Sequence, residues 1–374
     1  NLSTFAVTFD DHSFDESESQ KRILSHYNLN HNSCMIKHSD ISTEFQKVIR
    51  HAETPLFRTA PVPMMKLSKI VKDQGIKVVM SGEGADEILL GYDLFREAKI
   101  RKFWSRQPKS HCRGMLISRL YDYMPQYKQP RYLKLLMDFY RPSLSNSDAP
   151  HFAMNMRWST TKELSESLSE QAQSSLSDYD PVCELEEVLP ACYSESDTVE
   201  RAQQVEVATL LSNYLLSSQG DRMSMANSVE GRYPYLDLEF VNFCARLPQN
   251  IKLRGLKDKF ILRQSYAGRL PKEILTRKKY AYQAPDKSAF FEDGKPLEWV
   301  SDMLSNRKIQ KQGLFDADYI SRFCLSPPVA NSGRQGIKSN LLFVAVLSTT
   351  ILHDELVNNR SQESHKEMLI TKLA

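Results

Sequence analysis

The sequence is short of several features that define common classes of protein. It has only 13 glycines in 374 residues, and its six cysteines show no Cys-x-x-Cys spacing. Without thiols at such a spacing we expect no structural zinc site, and the scattered cysteines are typical of reduced thiols in a cytoplasmic protein. The few glycines and the many Leu, Glu, Lys and Gln residues favour a mainly helical chain.

An excess of one charge and a long apolar run are lacking as well. The chain has 49 basic and 46 acidic residues, for a net charge of +3, and this balance gives no indication of nucleic-acid binding. No apolar run reaches about 18 residues, so we expect no membrane span. The longest apolar stretch, residues 341–352, is interrupted by Ser348, Thr349 and Thr350 and predicts a buried helix that closes the fold.

A short apolar strand followed by a glycine-containing turn is the most informative stretch. Residues 76–80 are β-branched and apolar, which predicts a buried strand of a parallel sheet, and the apolar residues of 88–95 recur at helical spacing. The turn Ser81-Gly82-Glu83-Gly84 therefore joins the carboxyl end of a strand to the start of a helix. Open α/β sheets bind ligands at such turns, where glycines allow close approach and free N–H groups favour anions.

The same turn is rich in acids, because Glu83, Asp86 and Glu87 lie in or just after it. Acids beside a phosphate site are explained if a metal ion lies between them and the phosphates. The alternative is structural. Asp86 and Glu87 would then complement the helix dipole, and Glu83 would be a solvated loop residue.

Three motifs together resemble the synthetase domain of the asparagine synthetase family. The first is Ser-Gly-Glu-Gly-Ala-Asp-Glu at 81–87 followed by Gly-Tyr at 91–92, and the second is Asp-Arg-Met-Ser-Met-Ala at 221–226 followed by Glu-Gly-Arg-Tyr-Pro-Tyr-Leu-Asp at 230–237. The third is Arg277-x-Lys279 with Tyr282 at the family's aromatic position. The resemblance covers residues 3–100 and 197–290 in family order, and the match fades beyond residue 291.

This resemblance implies an α/β fold with a parallel-sheet, adenine-nucleotide α-hydrolase-like core of the ATP-pyrophosphatase type, incomplete at its N-terminus and joined to a large helical portion. We expect the partial α/β core at 1–100 and a helical insertion at 101–196. The helical part of the synthetase domain follows at 197–305, with a C-terminal helix and tail at 306–374.

The resemblance also implies an activity. In the family, ATP adenylates a carboxylate, usually that of aspartate, pyrophosphate leaves, and ammonia from glutamine attacks the acyl-adenylate. Glu83 would be the general base, Asp86 would hold Mg²⁺ on the pyrophosphate oxygens, and Lys279 would neutralise charge on the phosphate, leaving Lys278 solvated.

Other residues would bind the nucleotide or support the site. Val7, in the predicted strand 3–9, would pack on the adenine, and Ser81, Gly82 and Gly84 would face the nucleotide. Charged residues this dense among apolar ones predict a paired network. The network would join Asp221 to Arg222 and Glu230 to Arg232.

Two parts of the family pattern are absent from the chain, which begins with Asn1 rather than Met. The pyrophosphate-cradling Ser-Gly-Gly-x-Asp-Ser loop and the glutaminase domain are expected upstream, so we expect this fragment to be inactive alone. Two other functions remain open. One is another amidoligase of the same scaffold, β-lactam-forming or peptide-cyclising, although Glu83 favours ammonia. The other is a degenerate, non-catalytic relative, which intact Glu83, Asp86 and Lys279 disfavour.

Local signals predict most of the remaining elements. Asp15 with Glu18 and Asp197 with Glu200 form capping boxes, and Asp237 is a helix cap. The helix that begins at Asp197 should end at Gly220. The other predicted elements are a strand at 33–36, short helices within 121–139, and helices at 40–51, 64–74, 238–247 and 257–267.

Overall fold

A computed structural model describes residues 2–11, 17–120, 129–277, 284–328 and 334–358. Its strands form two parallel pairs and one short antiparallel hairpin. The strands are β1 (Ser3–Phe9), β2 (Asn30–Ile36), β3 (Val78–Met80), β4 (Glu230–Arg232), β5 (Phe291–Glu292) and β6 (Lys295–Pro296). β1 pairs with β2, β3 pairs with β4, and β5 pairs with β6. The Asp15–Glu18 capping box lies outside the described residues.

Helices make up most of the rest of the described chain. The helices before the predicted insertion are α1 (Ser17–Tyr27), α2 (His38–Ala52), α3 (Pro61–Asp73), α4 (Ala85–Ile88) and α5 (Asp93–Ser105). Those within it are α6 (His111–Gly114), α7 (Pro130–Tyr140), α8 (Asn155–Lys162), α9 (Glu170–Ser175) and α10 (Pro181–Val188). Those after it are α11 (Thr198–Glu206), α12 (Arg222–Met225), α13 (Leu238–Ala245), α14 (Gln249–Lys252), α15 (Phe260–Ser265), α16 (Lys272–Thr276), α17 (Glu298–Met303), α18 (Asn306–Gln312), α19 (Ala317–Phe323) and α20 (Arg334–His353).

β3 corrects one prediction. The strand spans three residues rather than 76–80, and it is not buried, since Val78 is 39% and Met80 72% exposed. A parallel strand is buried when other strands and helices cover its edges and both faces. Among the described residues β3 pairs with β4 alone. No second strand of the described chain covers its other edge, and the side chains of Val78 and Met80 stay exposed to solvent.

The largest core forms where α2, α3 and α20 meet. Ile41, Phe45, Val48, Ile49 and Ala52 recur at helical spacing along α2 and are fully buried. They share one cluster with the apolar face of α20, so burial of apolar surface holds the C-terminal helix against the N-terminal half. The prediction of a buried closing helix is confirmed.

α20 also makes a polar contact inside this core. Ser348 is fully buried, and its Oγ donates to the carbonyl of Leu56 at 2.8 Å and accepts from the Leu56 N–H at 2.9 Å. By length and composition alone residues Gly336–Val357 could cross a membrane, but half of their most apolar window is buried inside the protein. A helix that packs this way is typical of a core.

The helix that begins at Asp197 is longer than predicted. The capping box is confirmed: Asp197 accepts from the N–H groups of Val199 and Glu200, and Glu200 accepts from the Asp197 N–H. The expected end at Gly220 is wrong, because a π-helical segment (Val207–Asp221) follows α11 and leads directly into α12. A glycine inside a helix is unfavourable by only about 1 kcal/mol, so Gly220 need not end the helix. A Cβ at Gly220 would lie 2.8 Å from the Leu215 carbonyl oxygen, so the close packing at this position favours glycine.

The segment after Asp237 is predicted in part. Asp237 caps α13, accepting from the N–H groups of Glu239 and Phe240. The helix predicted over 257–267 is confined to α15, because Lys259 at its start has a left-handed backbone (φ 44°) that a helix interior does not allow.

The cysteines divide by region. All six are free thiols; Cys34, Cys244 and Cys324 are buried. Cys112, Cys183 and Cys192 are exposed, and all three lie in the region 101–196 that was predicted as the helical insertion. This distribution fits the expectation of reduced thiols.

Replacing Ser348 by Ala should destabilise the chain by about 1–3 kcal/mol, since the buried N–H and C=O of Leu56 would both lose their partner. Denaturant unfolding monitored by circular dichroism measures this difference. The matched control is Ser159→Ala on α8, where the side chain is exposed and the change should stay within about 0.5 kcal/mol. Equal effects of the two substitutions would contradict the structural role of Ser348.

Candidate active site

The turn at 81–84 lies where the sequence places it, between the carboxyl end of β3 and the start of α4. The Ser81 N–H donates to the Arg232 carbonyl at 2.9 Å and so extends the β3–β4 ladder by one bond. Gly82 faces open space, since a Cβ there would meet no atom within 4 Å. A ligand can therefore approach the Gly82 backbone closely.

Gly84 is fixed by two independent constraints. Its φ is +86°, a left-handed conformation that favours glycine. A Cβ at this position would also overlap the side chain of Leu236. Since Leu236 belongs to the second motif, the close contact at Gly84 packs the two motifs against each other.

Asp86 has a cationic partner that the sequence analysis missed. Its Oδ1 lies 2.7 Å from Lys259 Nζ, and the two side chains are only 16% and 18% exposed. Lys259 is the residue just before α15, and its backbone is left-handed. No sequence signal marks a lysine for such a conformation, so Lys259 could not be distinguished from a helix-surface residue.

Glu87 is buried beneath the turn rather than exposed at a helix start. It is 1% exposed, and the Tyr92 hydroxyl donates to its Oε1 at 2.7 Å. Burial, followed by the nearby charge of Glu87 and the weaker influence of Asp86 and Glu83, raises the pKa of Tyr92 well above its usual range. Tyr92 therefore keeps its proton and remains a donor to the acidic turn.

Tyr233 connects the two motifs electrostatically. Its hydroxyl donates to Asp221 Oδ1 at 2.9 Å. Burial first, then the bond and charge of Asp221 and finally the charge of Glu83, raise the pKa of Tyr233 above its usual range. Glu83 of the first motif and Asp221 of the second therefore lie around the same phenol.

The predicted charge network is only partly present. Arg232 and Glu230 form the expected pair, with Nε and Oε1 2.8 Å apart, but both side chains are more than half exposed. The pairing of Asp221 with Arg222 is wrong, because Arg222 binds Glu53 at 2.9 Å instead. Consecutive helical residues point in different directions, which separates the two side chains.

One predicted position, in β1, is not part of this contact set. Val7 sits in β1, in register with Cys34, and packs against the large core. Lys278, Lys279 and Tyr282 lie outside the described residues. Just before them, the carbonyl oxygen of Arg277 accepts from Arg263 of α15 at 2.9 Å. Arg277 therefore lies beside α15, the helix that follows Lys259.

The metal-binding capacity of the described residues is limited. They contain no group of three His, Cys, Asp or Glu side chains placed to hold one ion. Asp86 fits the role of a single protein ligand, since Mg²⁺ is often bound by one or two carboxylates together with substrate phosphates. The described residues by themselves therefore do not form an all-protein metal cage at this site.

Comparison with known proteins gives a consistent result. A family model described as asparagine synthase matches residues 1–344, which extends the resemblance well beyond residue 291. Asparagine synthetase [glutamine-hydrolyzing] 1 of Bacillus subtilis (strain 168) is 26% identical over 323 residues, covering 86% of this chain and 48% of the relative.

Two further relatives match a similar share of the chain. A putative asparagine synthetase [glutamine-hydrolyzing] of Mycobacterium tuberculosis is 26% identical over 302 residues, covering 80% of this chain and 43% of the relative. The amidase chyE of Penicillium rubens is 24% identical over 333 residues, covering 84% of this chain and 48% of the relative. The chain thus spans about half the length of the curated relatives that it matches.

Replacing Lys259 by Met should destabilise the chain by about 1–3 kcal/mol, because Asp86 would keep a poorly solvated charge without its ammonium partner. The double variant Asp86→Asn, Lys259→Met should lose less than the sum of the two single changes. Denaturant unfolding of all four proteins measures the coupling.

The control for this cycle is Lys69→Met, whose ion pair with Asp73 is largely exposed and should contribute less than about 1 kcal/mol. Additive effects at Asp86 and Lys259 would show that the two charges do not interact.

Proposed function

The chain belongs to the asparagine synthase family, and we propose that it forms the ATP-dependent amidoligase part of a glutamine-dependent asparagine synthetase. ATP would adenylate a carboxylate, most simply that of aspartate, with release of pyrophosphate, and ammonia derived from glutamine would then attack the acyl-adenylate. The observation that carries this proposal is the open glycine turn at 81–84, with Asp86 and Lys259 paired directly beside it. Nucleotidyl transfer depends mainly on positioning and charge neutralisation, and these groups serve both.

In this proposal the turn binds the nucleotide. The family fold is of the ATP-pyrophosphatase type, in which the strand ends face the nucleotide. Ser81, Gly82 and Gly84 would bring the backbone against it, and Val7 would contact the adenine. Mg²⁺ bound with ATP would neutralise pyrophosphate oxygens, and Asp86 is the described residue that would hold it.

Three charged side chains would act on the reacting groups. Glu83 would accept the proton that ammonia loses as its nitrogen attacks the acyl carbon, while AMP departs. Lys279 would neutralise charge that develops on the phosphate. Lys259, held near the turn by Asp86, would supply a second cation for the phosphate oxygens.

The rest of the reaction would need parts outside this sequence. We propose that the whole protein contains a Ser-Gly-Gly-x-Asp-Ser loop and a glutaminase domain in addition to this chain, and that it is cytoplasmic. The half-length coverage of the relatives leaves room for such further parts. This chain alone should then show no ATP–pyrophosphate exchange, and exchange by the isolated chain would contradict that part of the proposal.

A second candidate is another amidoligase of the same family. Relatives named amidases, from Penicillium rubens and Gibberella zeae, match the chain about as extensively as the synthetases do. β-Lactam-forming and peptide-cyclising relatives can lack glutamate at the position of Glu83, whereas this chain retains it, which favours ammonia as the nucleophile. A degenerate, non-catalytic relative is disfavoured because the chain retains Glu83, Asp86 and Lys279.

Two substitutions in the full-length protein should separate the two half-reactions. Asp86→Asn should abolish both ATP–pyrophosphate exchange and amide formation, because adenylation loses its metal ligand. Glu83→Gln should preserve exchange and slow amide formation by about a hundredfold or more, because a general base acts only after adenylation. Measuring both reactions on each variant tests these roles, and an equal loss in Glu83→Gln would make Glu83 a binding residue.

Lys279→Ala should lower kcat by about a hundredfold, a loss on the order of 3 kcal/mol, with little change in KM for ATP. A cation that meets developing charge stabilises the transition state more than the ground state. Lys278→Ala is the adjacent control and should be nearly silent in steady-state kinetics. A damaging Lys278→Ala with a mild Lys279→Ala would shift the motif by one residue, and two mild variants would remove the role from this cluster.

A further inference from the structure

A buried glutamate lies behind the acidic turn without a complete set of partners. Glu206, at the end of α11, is fully buried. Its Oε1 accepts from Arg157 Nη1 at 2.5 Å, while its Oε2 is buried and has no hydrogen-bond partner among the described residues. A buried carboxylate whose second oxygen is unsatisfied is unfavourable, and protonation is the usual relief.

The fold brings this carboxyl group next to the turn. Gln203, also on α11, donates from Nε2 to the carbonyl oxygens of Glu87 and Ile88, at 2.7 and 3.0 Å. Glu206 follows Gln203 by three residues and so lies on the same face of α11. α4 therefore rests on the helix face that carries Glu206.

Among the described residues, Arg157 is the cation that hydrogen-bonds to Glu206. The Arg157 side chain is 45% exposed, so water screens its charge. Glu87, which is itself buried and acidic, acts on Glu206 electrostatically. Burial is the largest influence and, with the smaller contribution of Glu87, raises the pKa of Glu206 despite the opposing effect of Arg157.

The remaining charged groups around α11 are already paired or engaged. On α5, which packs along α11, Arg96 pairs with Asp93, and Arg101 pairs with Glu97. On α11 itself Glu200 belongs to the capping box, and Arg201 donates to the Tyr193 carbonyl. In the described part of the chain the titratable and charged groups around this region include Glu87, Tyr92, Asp93, Arg96, Glu97, Arg101, Arg157, Tyr193, Glu200, Arg201 and the buried Lys252, which donates to Gln203 Oε1 at 3.5 Å.

We propose that Glu206 is a positioning residue that binds a proton more readily than a solvated glutamate and thereby limits the negative charge beneath the nucleotide turn. This inference rests on the proposed function, since ATP is the anion that the turn would bind. An ionised Glu206 would add a second buried negative charge beside Glu87 and oppose an anionic ligand at α4. A neutral Glu206 lets Glu83, Asp86 and Glu87 occupy the site without that addition.

The proton has a direct effect on stability. A carboxyl group whose pKa is raised by folding makes the folded state bind more protons than the unfolded state. Its contribution to stability is therefore present below the unfolded pKa of about 4.3 and is lost as the pH rises toward the folded pKa. Each unit by which folding raises the pKa corresponds to about a tenfold change in the unfolding equilibrium constant.

The first experiment is denaturant unfolding of the chain and of Glu206→Gln between about pH 5 and pH 8. The ratio of the wild-type to the variant unfolding constant should rise with pH, by about tenfold per pH unit within the titration window. Glu187→Gln, an exposed glutamate on α10, is the matched control and should give a ratio independent of pH. A flat ratio for Glu206→Gln as well would overturn the proposal.

A second variant keeps the test decisive if Glu206→Gln fails to fold. Arg157→Met changes a half-exposed side chain and removes the cation that, among the described residues, opposes protonation of Glu206. In this variant the pH-dependent loss of stability should extend to higher pH than in the wild type. An unchanged or shortened window would overturn the assignment of the proton to Glu206.

The link to the nucleotide is tested by the affinity of the full-length protein for ATP, measured by calorimetry over the same pH range. The ratio of wild-type to Glu206→Gln dissociation constants removes the titration of ATP itself and should rise several-fold across the pH at which the stability ratio levels off, because Glu206 then ionises in the folded state. A dissociation-constant ratio that stays flat across that pH would overturn the nucleotide part of the inference. No ATP binding by either protein would count against the proposed function, and the stability ratio would then decide the protonation of Glu206 by itself.

Discussion

The parallel pairing of β3 with β4 is the constraint on which the candidate site depends. Three residue pairs, Val78 with Glu230, Val79 with Gly231 and Met80 with Arg232, join segments that are far apart in the sequence. A parallel pair requires a long crossover connection, and here that connection includes α4 to α12 and the whole predicted insertion. The contacts of Gly84 with Leu236 and the shared surroundings of Tyr233 follow from this register.

The candidate site concentrates acids in and just after the glycine turn, so its cations determine how much net negative charge it carries. Exposed pairs such as Arg232–Glu230 and Arg222–Glu53 contribute little net energy. Asp86 with Lys259 is different, because both side chains are mostly withdrawn from water. The positive charge beside the acidic turn therefore comes from Lys259, which lies outside both the first and the second sequence motif.

Local signals in the sequence predicted much of the fold, and contacts between distant segments explain what it missed. The Asp197 and Asp237 caps and the apolar stripe of α2 depend on neighbours within one turn, so they can be read from the residues themselves. The left-handed Lys259, the burial of Glu87 and the continuation of the helix through Gly220 depend on tertiary packing. The two motifs could be recognised from the order of their residues alone. The contact between Gly84 of the first motif and Leu236 of the second can be seen only in the folded chain.

The division of the thiols has a practical consequence for spectroscopy. Because Cys112, Cys183 and Cys192 are exposed and the other three cysteines are buried, a maleimide dye or spin label applied to the unaltered folded chain would attach to the region 101–196. The attached labels would then report on the mobility of that region without any engineered cysteine. The buried thiols would react only as the core opens, so the same reagent would time global unfolding.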